Sequence, residues 1–165
     1  MTAAYAPESW DGFALAVVTA ATLTGLLFVA VSINLQRILS FPNLPPRAGQ
    51  TLILFSTPLF SGLLLVIPGQ GRTPVATELL VAGIFFGAGL VLIDARTPPS
   101  ANTNRLTWLV SGFVPAGVSC GCLVVAAATL LAQAGGGLYW FFPGALGGVA
   151  FGLINAWVLL VEILR

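Results

Sequence analysis

Charge is the scarcest material in this chain, and its placement constrains the fold more than any motif does. No Asp, Glu, Lys or Arg occurs from Gly12 to Gln36, from Ala48 to Gly71, from Leu79 to Ile93, or from Leu106 to Val161. About 20 apolar residues, rising ~1.5 Å each as a helix, cross the ~30 Å hydrocarbon core of a bilayer, and a helix satisfies its own backbone polar groups there. Each interval therefore has room for a span, and the last has room for two. Charged residues make up 7% of the chain and apolar residues 58%, whereas a soluble domain carries roughly a quarter charged. A polar shell cannot be assembled from that. The reading is an all-α, polytopic transmembrane helical bundle forming one domain over 1–165, with five spans and four as the alternative.

The five spans fall at about 12–36, 48–67, 75–93, 106–132 and 143–164. The first starts near Trp10 or Phe13, with Asp11 left at the outer surface, and its far end, SINLQRIL, emerges along the inner interface with Leu35, Ile38 and Leu39 on one face. FPNLPPRAG, holding Pro42, Pro45 and Pro46, reads as the first cytoplasmic loop. Pro58 predicts a kink in the second span, and PGQGRTP closes it. DARTPPSANTNR is the next cytoplasmic loop; the fourth span contains Pro115 and ends at a tight turn of Gly135, Gly136 and Gly137. Tyr139, Trp140, Phe141 and Phe142 are expected to form an aromatic interface belt ahead of Pro143 in the first turn of the fifth span. Met1 to Trp10 lacks the basic segment of a cleavable signal, so the first helix is expected to stay.

Arginine sets the expected orientation. Five spans put Arg37, Arg47, Arg96, Arg105 and Arg165 on one side and Arg72 on the other. Short loops keep their basic residues in the cytoplasm, so the N-terminus is expected outside and the C-terminus inside a multi-pass cell (plasma) membrane protein. The partner certain from composition is the lipid bilayer. A net charge of +1 leaves no basic surface for nucleic acid.

Small residues at four-residue spacing let helix backbones approach closely. The fifth span carries Gly144, Gly148 and Gly152, and the same stripe continues through Asn155, Leu159 and Glu162. The fourth carries Ser111, Pro115, Ser119, Cys122, Ala126, Thr129 and Gln133 on one face, the third Gly83 and Gly87 leading to Asp94, and the first Ala16, Ala20 and Thr24 with Ala21 and Gly25 beside them. The pattern predicts a compact, tightly crossed bundle whose glycine faces serve helix packing, with self-association as a further use.

Four polar or charged positions are the candidates for more than packing. Glu78 lies one turn into the third span, where an ionisable group is costly unless paired or wet, with Arg72 as its expected partner; a structural pair and a proton or cation site are the two readings. Asn155 and Glu162 share the glycine face near the cytoplasmic end, with Arg37, Arg96 or Arg105 as counter-charge, and Asn34 lies at the same end of the first span. Catalysis is not indicated: there is no His, no phosphate-loop Gly-Lys-Ser, and no nucleophile beside a base. Cys120 and Cys122 read as small buried side chains, and no metal site or cofactor is implied.

TLTGLLFVAVSINLQRIL, followed by PPRAGQTLILF and the later PGQ, resembles a family of small uncharacterised multi-pass integral membrane proteins of GC-rich bacteria. The resemblance covers mainly Thr22 to Gln70, with Thr24, Gly25, Ser32, Asn34, Arg47 and Ala48 in its most recognisable stretch. Some relatives are labelled modulators of a membrane-bound protease, and the family supplies no catalytic residues. Two functions are expected from all this: an accessory or interaction subunit packing against a larger membrane protein or, as the alternative, a small oligomeric transporter or channel.

Overall fold

The computed structural model of the chain describes residues 3–6, 13–42, 44–97 and 112–164. Six helices account for nearly all of them: α1 (Phe13–Ile33), α2 (Leu35–Leu39), α3 (Leu44–Val66), α4 (Arg72–Arg96), α5 (Gly112–Ala132) and α6 (Phe141–Leu164). Short 3-10 turns cover Ala3–Tyr5 and Gly137–Trp140. No strand occurs among the described residues. The fold is an all-α bundle, and α3, α4, α5 and the Gly137–Val161 stretch through α6 are each long and apolar enough to cross a membrane. The backbone of α1 runs for 21 residues, and its described side chains form a shorter apolar stretch, Val17–Ile33. The chain is a membrane protein.

The helices α3, α4, α5 and α6 form a ring in that order, each packed on the next, while α1 lies outside the ring against α3. One end of the bundle carries Arg37, Arg47 and Arg96 and is called the arginine end; the other carries the turn at Gly135–Gly137 and is called the glycine end. Three apolar layers stack between them. Leu65, Leu79, Leu123, Leu130 and Phe141 fill the glycine end, Leu54, Leu90, Ala116 and Cys120 the middle, and Ile38, Leu44, Ala48 and Leu159 the arginine end.

Several boundaries depart from the sequence reading, each for a local reason. Pro45 and Pro46 lie in the first turn of α3 and not in a loop, because backbone N–H groups there have no intrahelical acceptor and Pro costs nothing. The first span ends at Ile33, and SINLQRIL is broken at Asn34, whose side-chain amide donates to the Ala30 carbonyl at 2.9 Å; a side chain that competes for backbone partners interrupts a helix in this way. Of the residues placed together on α2, Ile38 is buried while Leu35 and Leu39 are exposed. At its far end α4 runs on to Arg96 and takes Asp94 out of the expected loop. Residues 98–111, which include Arg105 of that loop and Ser111 of the expected fourth span, lie outside the described residues, as do Trp10, Asp11 and Arg165.

At the glycine end the three glycines all take positive φ, 84°, 109° and 53°, a conformation L side chains rarely adopt. They make the tight turn. The Ala3–Tyr5 segment folds back onto it: the Gly136 N–H donates to the Tyr5 hydroxyl at 3.1 Å, and a Cβ on Gly137 would collide with the Ala4 carbonyl. In the expected aromatic belt, Tyr139, Trp140 and Phe142 are exposed but Phe141 is fully buried. The 3-10 turn before α6 rotates that ring into the core layer shared with Leu79 and Leu130.

Candidate functional site

Polar groups are held at three levels of this bundle, and each level is built differently. At the glycine end, Glu78 faces Gln70 and not Arg72. The Gln70 side-chain amide donates to both carboxylate oxygens at 3.1 Å, reaching across the turn between α3 and α4. The carbonyl oxygen of the same Gln70 side chain is buried without a hydrogen-bond partner. A neutral amide therefore takes the role expected of a guanidinium.

The arginine end holds the matching arrangement. Asp94 is 7% exposed and accepts a short hydrogen bond from the Gln50 side-chain amide on α3. Gly112 on α5 makes room for the carboxylate, since a Cβ there would sit 2.6 Å from Asp94 Oδ2. Three helices thus meet at one carboxylate. The step along α4 from Glu78 to Asp94 is about 24 Å at ~1.5 Å per residue, most of a hydrocarbon thickness of ~30 Å. The two acids lie toward opposite ends of the span.

Between them is a node where two helices are irregular at the same depth. Pro58 in α3 has no N–H for the carbonyl of Leu54, one turn earlier. Opposite, α5 opens into a π turn over Gly117–Gly121, where α5 comes closest to α3 across the ring. Gly148 of α6 fits between: a Cβ on it would lie 2.9 Å from that Leu54 oxygen, 3.4 Å from Pro58 Cδ and 3.6 Å from Ser119 Cβ. Thr57, Ser61, Ser119 and Cys120 are all buried around this point. Their hydroxyls are satisfied locally, Ser119 donating to Pro115 O at 2.6 Å, Ser61 to Thr57 O at 2.6 Å and Thr57 to Ile53 O at 2.8 Å. Each of these three hydroxyls donates within the helix that carries it.

Of the glycines singled out in the sequence, Gly83, Gly87, Gly144, Gly148 and Gly152 lie at helix contacts within the chain. Cβ atoms on Gly83 and Gly87 would press on the backbone and side chain of Cys120, one on Gly144 would lie 3.0 Å from Ser119 O, and one on Gly152 would run into the Phe55 ring. Asn155 is half-buried on the stripe that leads from Gly152 to the buried Leu159. Nothing of the Glu162 side chain is described. On α1, Ala20 is fully buried and Thr24 half-buried, but Ala21 and Gly25 are exposed, and nothing lies within 4 Å of where a Gly25 side chain would start.

Sequence reasoning passed over Gln50, Gln70 and the π turn. The two glutamines had a signal: each is an uncharged polar residue within a turn or two of a span end, where an acid on the neighbouring span needs a donor. Among the described residues, no three His, Cys, Asp or Glu side chains converge as a metal site would require. Chemically the arrangement holds two carboxylates in place and closes the space between them. No family model matches this chain, nor does any curated protein or solved structure.

Proposed function

We propose that this chain is an accessory subunit of the bacterial cell membrane, one that works by packing against a larger membrane protein. Five spans are proposed, α1 among them, with the N-terminus outside and the arginine end in the cytoplasm, in keeping with the positive-inside distribution of Arg37, Arg47 and Arg96. The resemblance of Thr22 to Gln70 to small multi-pass bacterial membrane proteins agrees with this.

One observation carries the reading: the outer face of α1 is the small-residue face that the chain itself leaves unused. Ala21 and Gly25 lie there between Val18, 62% exposed, and Phe28, 63% exposed, while the comparable glycines of α4 and α6 are pressed against neighbouring helices. Close helix approach in lipid depends on such residues. The interior supports the same reading, since Leu54, Leu90, Ala116 and Cys120 fill the middle of the bundle between the two acid–amide pairs.

Co-purification under mild crosslinking tests it. A larger membrane protein recovered in stoichiometric amount with the native chain and lost with Gly25→Leu, in a variant that stays monodisperse in detergent, is the expected result. A lone homo-oligomer in both would point to the second reading, a small oligomeric transporter or channel. That reading draws on Pro58 and the π turn facing each other at mid-depth, since broken helices at the membrane centre line the binding sites of transporters. Flux into proteoliposomes that falls in Glu78→Gln would support it. Reporter fusions after Arg165 check the topology, with a cytoplasmic signal expected.

A further inference from the structure

Among the described residues, one buried side-chain acceptor has no donor, the carbonyl oxygen of Gln70. It belongs to the residue that holds Glu78. Nε2 of Gln70 lies 3.1 Å from each carboxylate oxygen, so one nitrogen is shared between two acceptors while Oε1 of the same amide meets nothing. A buried polar atom left over in this way calls for a physical reason.

Exchanging the oxygen and nitrogen of the amide does not supply one. It would set a carbonyl against a carboxylate, two acceptors with no hydrogen between them. A proton on Glu78 does supply one. A protonated carboxyl carries an O–H donor beside an acceptor oxygen, which is the complement of an amide with its N–H donor and its carbonyl. If Nε2 stays on one carboxyl oxygen, a rotation of the amide brings Oε1 opposite the other, whose O–H then donates to it. The shared contact becomes two parallel hydrogen bonds, and the buried oxygen gains its donor. The carboxylate takes one proton from solution, and no other covalent bond is made or broken.

The surroundings are nearly free of other charge. There is no Asp, Glu, Lys or Arg on α1 or α5, α3 carries only Arg47 at the arginine end, and the sole acid of α6, Glu162, is near its far end. Among the described residues, Arg72 at the first position of α4 is therefore the one other charged group at the glycine end. Glu78 is half-buried, so protons can reach its carboxyl, while the amide oxygen is shielded. We propose that Glu78 and Gln70 form a proton-binding clasp, in which proton uptake by Glu78 closes a two-bond pair between the α3–α4 turn and α4. The clasp makes the glycine end responsive to acidity, and it is separate from the face that α1 offers a partner.

Infrared difference spectra of the full chain in lipid nanodiscs, acid minus neutral, test this, because a protonated carboxyl has a carbonyl band that a carboxylate lacks. One such band should be lost in Glu78→Gln, whose amide makes the same two-bond pair without a proton. It should move to higher frequency in Gln70→Leu, where the acid has no amide to bond. Glu8, Asp11, Asp94 and Glu162 are present in all three chains and cancel in the comparison. Native chain carrying isotope-labelled glutamine gives a second readout that needs no change at Gln70: one glutamine carbonyl should shift on acidification, and the shift should be absent in Glu78→Gln. A Glu78→Gln spectrum identical to the native one, a Glu78 band that Gln70→Leu leaves in place, or glutamine carbonyls that ignore acid would overturn the proposal. So would a pair that responds to sodium or potassium and not to acid, which is the behaviour of a cation site.

Discussion

Both α6 and α1 pack on α3, yet they hold it in different ways. From α6, Gly148 and Gly152 bring backbone against the Leu54 carbonyl and the Phe55 ring, with no room for even a methyl group. From α1, the contact is made by Ala20, Leu27 and their neighbours, and the glycine of that helix points away from the bundle with nothing near it. Small residues at four-residue spacing therefore close one interface, at Gly148 and Gly152, and leave another surface free, at Ala21 and Gly25. What separates them is what each glycine faces: Gly148 lies against the Leu54 carbonyl that Pro58 leaves without its helical N–H donor, whereas Gly25 faces no other helix.

The largest effect is expected where the approach is tightest. Gly152→Leu should destabilise the bundle by at least ~3 kcal/mol, the upper part of the range for overpacking a filled interior, measured as unfolding in bicelles.

Next in size come the two acid–amide pairs, which differ in burial as the two helix faces differ in packing. Gln50→Leu leaves the buried Asp94 carboxylate without its donor and should cost ~1–3 kcal/mol. Gln70→Leu, beside a Glu78 that is only half-buried, should cost less. Combining Gln50→Leu with Asp94→Leu should recover part of the loss, since removing both partners leaves no buried group unsatisfied. Equal costs for Gln50→Leu and Gln70→Leu would remove the distinction between the two ends.

The helical class of the fold and the location of the long apolar helices were legible in the spacing of charges, because lipid tolerates so few of them. The tri-glycine turn was legible too, since three consecutive positive φ angles suit no other residue. The partners were not. Glu78 was matched with Arg72 by charge, but the side chain that reaches it is Gln70 on the far side of the turn, and Asp94 was read as a loop residue until α4 carried it inward to Gln50. Hydropathy counts an amide as polar and gives no hint that it is aimed at an acid. Nor could the π turn be read, because Gly117–Gly121 satisfies the rules of an ordinary helix and is distinguished by what packs beside it.

Gly148→Leu and Gly25→Leu, unfolded side by side in the same bicelles, test the central distinction most directly. The first should lose several kcal/mol, because a side chain has nowhere to go between Leu54 and Ser119. The second should stay within ~0.5 kcal/mol of the native chain, as substitutions on open surface do. Similar losses in both would contradict it, and would mean that α1 is as tightly enclosed as α6.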